Sequence, residues 1–129
     1  MDFEIPDELH FSIDDEWILY EDDTATVGVT DFAQQQLGDI VYVELPTVGD
    51  QIEEGVAFGV IESVKAVSDL NAPLTGEVVA VNESLDAEPE RVNADVYGEG
   101  WLVELRYSGE EELGKLIDAE AYEKFASGG

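Results

Sequence analysis

The alternation of apolar and polar positions organises this 129-residue chain into short strands. An irregular N-terminal segment from Phe3 leads into Trp17-Ile18-Leu19-Tyr20, a short apolar strand. Thr24 to Val29 follows as a second strand, because Val27 and Val29 share one face at a two-residue period. Thr30-Asp31 then offers a helix N-cap. Phe32, Ala33 and Leu37 make a small apolar face, and Gly38 stops the helix. Ile40 to Leu45 alternates again until Pro46 halts it.

Thr47 to Asp50 and Glu54-Gly55 are turns on either side of Ile52. Ala57 to Val67 is apolar and β-branched, interrupted by Gly59, Glu62, Ser63 and Lys65, and Asp69 to Pro73 reads as turn-rich. Leu74 to Val81 is a strand with Gly76 as a bulge or turn, Asn82 to Gly100 is loop-like, and Trp101 to Tyr107 alternates as a strand. Ser108 with Glu111 forms a capping box that opens a helix through Leu113, Leu116 and Ile117. Ala119 to Phe125 is a further short helix, and Ser127-Gly128-Gly129 reads as a frayed end. The pattern predicts one mainly-β domain over residues 1–129, with small inserted helices and a C-terminal helical segment at about 108–126.

Composition narrows the function classes. Apolar residues make up 44% of the chain, enough for a folded core. No run approaches the roughly 18 uncharged apolar residues of a membrane span. The first residues lack the basic and apolar regions of a secretory signal, so a cytoplasmic protein is expected. With no cysteine and one histidine, His10, neither disulfides nor a zinc site of the usual kind is expected. His10 reads as a surface residue near a strand start. Five basic against 32 acidic residues give a net charge of −27, which argues against nucleic acid as a partner. The acids are spread along the whole length, as in proteins of halophilic archaea, and so much like charge favours a monomer.

Against that background Lys65 stands out, because it is the single Lys or Arg between residues 1 and 90. Gly55 lies ten residues before it and Gly76 eleven after, so near-equal arms ending in turns suggest a hairpin with the lysine near its middle. On pattern alone two readings stay open. Lys65 is either a modification site at an exposed tip, or an ordinary lysine paired with Glu62 or Asp69, a pairing worth under about 1 kcal/mol when exposed. Ser63 beside it has no histidine base except His10, so no nucleophile constellation and no catalytic residue is expected.

The runs from Val48 to Gly55, Ile61 to Ala66 and Asn71 to Val78 resemble the biotinyl and lipoyl carrier superfamily. Glu62-Ser63-Val64-Lys65-Ala66 has the form found in the glycine cleavage system H-protein family. Val27 to Gln34, Leu37 to Pro46, Leu85 to Trp101 and Glu120 to Phe125 are similar to that family too, so the likeness covers nearly the full length. One departure is Asp15-Glu16-Trp17, where the family commonly has histidine in place of Asp15.

The resemblance implies a flattened β-barrel (barrel-sandwich hybrid) with lipoate joined to Lys65 on a protruding hairpin. It implies a shuttle and not an enzyme, which carries the aminomethyl group of glycine among three partners. These are a PLP-dependent glycine decarboxylase (P-protein), an aminomethyltransferase (T-protein) and dihydrolipoamide dehydrogenase (L-protein). A lipoyl-attaching enzyme is a fourth. The family also implies a cleft that shelters the loaded arm. By matched position Glu16 and Asp69 are its polar lining, and Ala33 and Leu37 its apolar lining. The residues themselves allow a plainer reading: two solvated acids and two core side chains, with Trp17 and Trp101 as core anchors. A lipoyl relay to 2-oxo acid dehydrogenases and an unmodified acidic interaction module are the alternative functions.

Overall fold

β2 (Glu16–Glu21) and β3 (Thr24–Val29) pair antiparallel in register, Ile18 opposite Val27 and Trp17 opposite Gly28, with the first half of β2 buried on both faces. The computed structural model describes residues 4–108 and 110–126. The frayed end read at 127–129 lies outside these residues.

The other elements, in chain order, start from β1 (His10–Phe11), which precedes β2. After β3 come α1 (Asp31–Leu37), β4 (Ile40–Glu44), β5 (Gln51–Ile52), β6 (Ala57–Ser63), β7 (Val67–Asn71) and β8 (Gly76–Val81). Then follow α2 (Ser84–Ala87), α3 (Arg91–Ala94), β9 (Val103–Tyr107), a 3-10 turn (Glu110–Lys115) and α4 (Ala119–Ala126). One antiparallel sheet has the order β1-β2-β3-β9-β8-β5, and a second has the order β4-β6-β7.

The mainly-β expectation holds, but the barrel is corrected. Among the described residues the strands form two sheets that do not close, because β1 and β5 at the edges of one sheet and β4 and β7 at the edges of the other each pair with one neighbouring strand only. The two sheets meet through side chains instead. Ile18, Val27, Val78, Val103 and Leu105 of the larger sheet share one buried cluster with Val43, Ile61 and Leu70 of the smaller.

A second, smaller core joins the chain ends. Phe11 stacks on Tyr122 of α4 with ring centroids 4.7 Å apart, and its backbone bridges Ile117 through two 2.8 Å hydrogen bonds. Trp17 belongs to this cluster, lies against Gly28 where no side chain would fit, and donates its indole N–H to Val96 O at 3.0 Å. Trp101 is only half-buried at its margin. His10 opens β1 with its ring 4.9 Å from Tyr20.

Three local readings are corrected. Residues 67–71 are a strand, although Val67, Ser68 and Asp69 are all exposed, as befits the edge of a sheet. Residues 82–100 contain two single-turn helices, each anchored by one buried side chain, Leu85 or Val92. Ser108 does not cap a helix. It donates to Thr75 O, and Glu112 turns back to accept from Thr75 N at 2.6 Å and Thr75 Oγ1 at 2.8 Å.

Candidate functional site

β6 and β7 are joined by the tight turn Val64-Lys65-Ala66, which places Lys65 at an exposed tip. Gly55 sits in the turn before β6, but Gly76 begins β8 beyond the second arm, so the arms are shorter than the glycine spacing suggested. Ser63 N donates to Ala66 O at 2.8 Å. Ser63 Oγ accepts from Lys65 N at 3.3 Å and Ala66 N at 3.1 Å. This local bonding holds the backbone on both sides of the lysine while leaving its side chain outside.

Four of the five cations in the sequence are paired. Arg91 contacts Glu88 and Glu99, Arg106 contacts Asp23 and Glu77, Lys115 contacts Glu54, and Lys124 contacts Glu120. Lys65 has no carboxylate within 4.0 Å among the described residues, so neither Glu62 nor Asp69 claims it. Its stem passes over Gly38 instead: a methyl group there would lie 3.3 Å from Cε and 4.0 Å from Nζ. Gly38 itself ends α1 at φ +82, a conformation open to glycine, and its N–H donates to Gln34 O. Val64 and Val67, each more than two-thirds exposed, flank the lysine with apolar surface.

Beside the hairpin lies a cleft of about 220 Å³. Glu16, Asp69, Ala33 and Leu37 all line it, so the structure brings together the four residues that matched position singled out. Leu37 immediately precedes the glycine under the Lys65 stem, and Ser68 and Asp69 come from the arm that leaves the lysine turn. Thr30 shapes the helical wall from its first turn, accepting from Ala33 N at 3.1 Å as N-cap.

Glu16 is the unusual member. It is 1% exposed, and Oε1 accepts from Ser12 Oγ at 3.1 Å, while Oε2 is buried with no hydrogen-bond partner among the described residues. Burial drives its carboxyl well above the ordinary range, the Ser12 bond lowers it, and Asp14 and Asp15 raise it further. A hydrogen-bonding cation brought next to that oxygen would be favoured, because it would supply the donor the protein does not.

Sequence reasoning missed Asp14, Asp15, Gln36 and Ser68 at this cleft. Asp15 was legible only as a departure from the family pattern. It sits at φ +64 and accepts from Tyr122 Oη at 2.9 Å, and burial raises its carboxyl. None of Asp14, Asp15, Glu16 and Asp69 has a cation within 4.0 Å among the described residues. The arrangement is therefore an exposed, unpaired amine beside a carboxylate-lined cleft.

The comparisons agree with one another. A family model described as Glycine cleavage H-protein matches residues 9–128. The chain is 54% identical over 123 residues to the glycine cleavage system H protein of Mycolicibacterium smegmatis, covering 92% of this chain and 94% of that one. It is 53% identical over 123 residues to the probable glycine cleavage system H protein of Natronomonas pharaonis, covering 95% and 97%. The crystal structure of a glycine cleavage system H protein from Mycobacterium marinum superposes with a TM-score of 0.85 at 36% identity, covering 96% of this chain and 99% of that one.

Proposed function

The chain belongs to the glycine cleavage H-protein family, and on that premise we propose that Lys65 is the residue to which its lipoate is attached. The protein is a carrier and not a catalyst. It passes the aminomethyl group of glycine between the decarboxylase, the aminomethyltransferase and dihydrolipoamide dehydrogenase, and it acts as a monomer in the cytoplasm. The observation that carries the reading is the unpaired Lys65 amine at the tip of a hairpin, in a chain whose other cations are all engaged.

The residues present fit a lipoyl group. The tip turn leaves the amine accessible to an attaching enzyme, and acylation there breaks no described ion pair. When bound, the group supplies a reducible disulfide that takes up and releases the one-carbon unit. Glu16 and Asp69 would face the cationic end of a loaded arm, and Ala33 and Leu37 would face its apolar length. Burial opposes the charge of Glu16 and raises its carboxyl well above the ordinary range. An ammonium next to Oε2 would favour the ionised form and fill that atom's missing bond. Asp14 and Asp15 add negative potential at the mouth and disfavour an anion there. The covalent tether raises the effective concentration of the arm at the cleft and at each docked partner.

The test is the intact mass of protein isolated from its own host with lipoate supplied. The native chain should exceed its sequence mass by one lipoyl group, and a Lys65→Arg variant should not. Native protein at the bare sequence mass would overturn the assignment and favour an unmodified interaction module.

A further inference from the structure

We propose that Asn93 is a positioning residue for the lysine turn: it locks the corner on which Lys65 rests and so sets the direction in which the arm leaves the hairpin. The proposal rests on the reading that Lys65 bears the arm. Asn93 lies on α3 and is not among the residues that line the cleft, yet its side-chain hydrogen bonds all go to the junction between α1 and β4. Its Nδ2 donates to Gly38 O at 2.9 Å and Gln34 Oε1 at 2.8 Å, and its Oδ1 accepts from Ile40 N at 2.9 Å. A side-chain amide has two donor hydrogens and one carbonyl oxygen, and all are used here.

That junction is the seat of the lysine. Asn93 grips Gly38 and Ile40, and Asp39 between them accepts from Val64 N, the residue before Lys65, at 3.0 Å. Gly38 is also the residue over which the Lys65 stem passes. A continuous run of hydrogen bonds thus leads from α3 to the corner and from the corner to the hairpin tip. Ser63 fixes the shape of the tip from within, whereas Asn93 fixes where the tip sits relative to α1, whose Ala33 and Leu37 line the cleft. With the corner loosened, the hairpin keeps its turn but loses its register against the helix.

The control is Asn82, which is buried where Asn93 is half-buried, and whose amide is likewise engaged at both ends: Nδ2 donates to Glu99 O and Trp101 O, and Oδ1 accepts from Ser84 Oγ. None of those partners touches the lysine turn. Amide hydrogen exchange by NMR on the full unmodified chain reads the corner directly. Asn93→Ala should lower the protection of Val64 and Ile40 by about tenfold or more beyond any global loss, while Asn82→Ala should leave both at the level set by its stability. Asn93→Asp, a second variant should the alanine not fold, keeps the acceptor for Ile40 N and loses both donors. It should spare Ile40 and unprotect Val64.

In lipoylated protein loaded by the decarboxylase with glycine, the one-carbon unit should hydrolyse several-fold faster in the Asn93 variants than in wild type or Asn82→Ala. Equal loss of Val64 protection in Asn93→Ala and Asn82→Ala, or an unchanged hydrolysis rate in the Asn93 variants, would overturn the proposal. Failure of the underlying reading looks different: no lipoyl mass on Lys65, with the exchange result intact.

Discussion

Ser63 and Ala66 close the lysine turn from both sides, Ser63 N donating to Ala66 O at 2.8 Å and Ala66 N donating to Ser63 Oγ at 3.1 Å. The hydroxyl also accepts from Lys65 N, so it orders the backbone at the proposed attachment residue. Ser63→Ala keeps the backbone bond and removes the side-chain ones. We expect a loss of about 1 kcal/mol in denaturant unfolding and slower, still complete, lipoylation in a timed reaction with the attaching enzyme. Wild-type early rates in the variant would mean that the hydroxyl plays no part in presenting the lysine.

Glu16 gives a pH signature with a definite sign. Burial, the largest cause, raises its folded-state ionisation well above the ordinary value of 4.5, so the folded form holds a proton that the unfolded chain has already released. Its contribution to stability is therefore fullest below that ordinary value and fades as pH rises through the folded one. Glu16→Gln, a permanent mimic of the protonated form, should match wild type in melting temperature at about pH 4 and exceed it increasingly toward about pH 8. A difference that is constant with pH would show that the carboxyl is not held neutral by the fold. The same variant should retain a loaded arm poorly, since an amide cannot balance an ammonium.

How far the sequence could be read depended on whether a segment buries one face. β3 and α1 were legible because alternation or capping matched burial: Ala25, Val27 and Val29 point inward together, and Thr30 and Gly38 bracket the helix. β2 was legible as an apolar run, and β4 as apolar sequence although a bulge breaks its alternation. β7 was not, since an edge strand with three consecutive exposed residues shows no period. The single turns α2 and α3 each bury one residue, too few to repeat at helical spacing. Lys65 was conspicuous by charge contrast, and Glu16, Asp69, Ala33 and Leu37 by family position alone. Asn93 lay inside a segment read as loop, and nothing in a linear pattern ties it to Gly38 and Ile40, more than fifty residues earlier.

Tyr122 links the C-terminal helix to the cleft wall. Its Oη donates to Asp15 Oδ1 at 2.9 Å, and Thr30 Oγ1, 2.7 Å away, is left to donate its own proton to the phenol oxygen. Burial puts ionisation of the phenol beyond any working pH, so it stays a donor throughout. Tyr122→Phe should cost about 1–3 kcal/mol in chemical denaturation, as it strips a bond from Asp15 and from the N-cap of α1. It should also raise the Asp15 carboxyl further, because the phenol bond is what lowers it against burial. An Asp15 carboxyl resonance that titrates unchanged in the variant would refute the link.

A net charge of −27 is spread over the whole chain, and the described ion pairs engage only a few of the 32 acids. Like charges on the folded surface therefore repel across distances that an open chain would lengthen, which makes folding oppose its own electrostatics at low ionic strength. The screening length is about 10 Å at 0.1 M and about 3 Å at 1 M salt, so repulsion between neighbouring acids fades over that range. The pairs of Arg91, Arg106, Lys115 and Lys124 fade as well, but each contributes little because solvent already screens it. Repulsion outnumbers attraction, so the melting temperature should climb by several degrees from low to molar potassium chloride, with most of the gain before about 1 M. A flat profile would mean that the acids are too far apart on the folded surface for their repulsion to matter, and the Lys65 assignment would be unaffected.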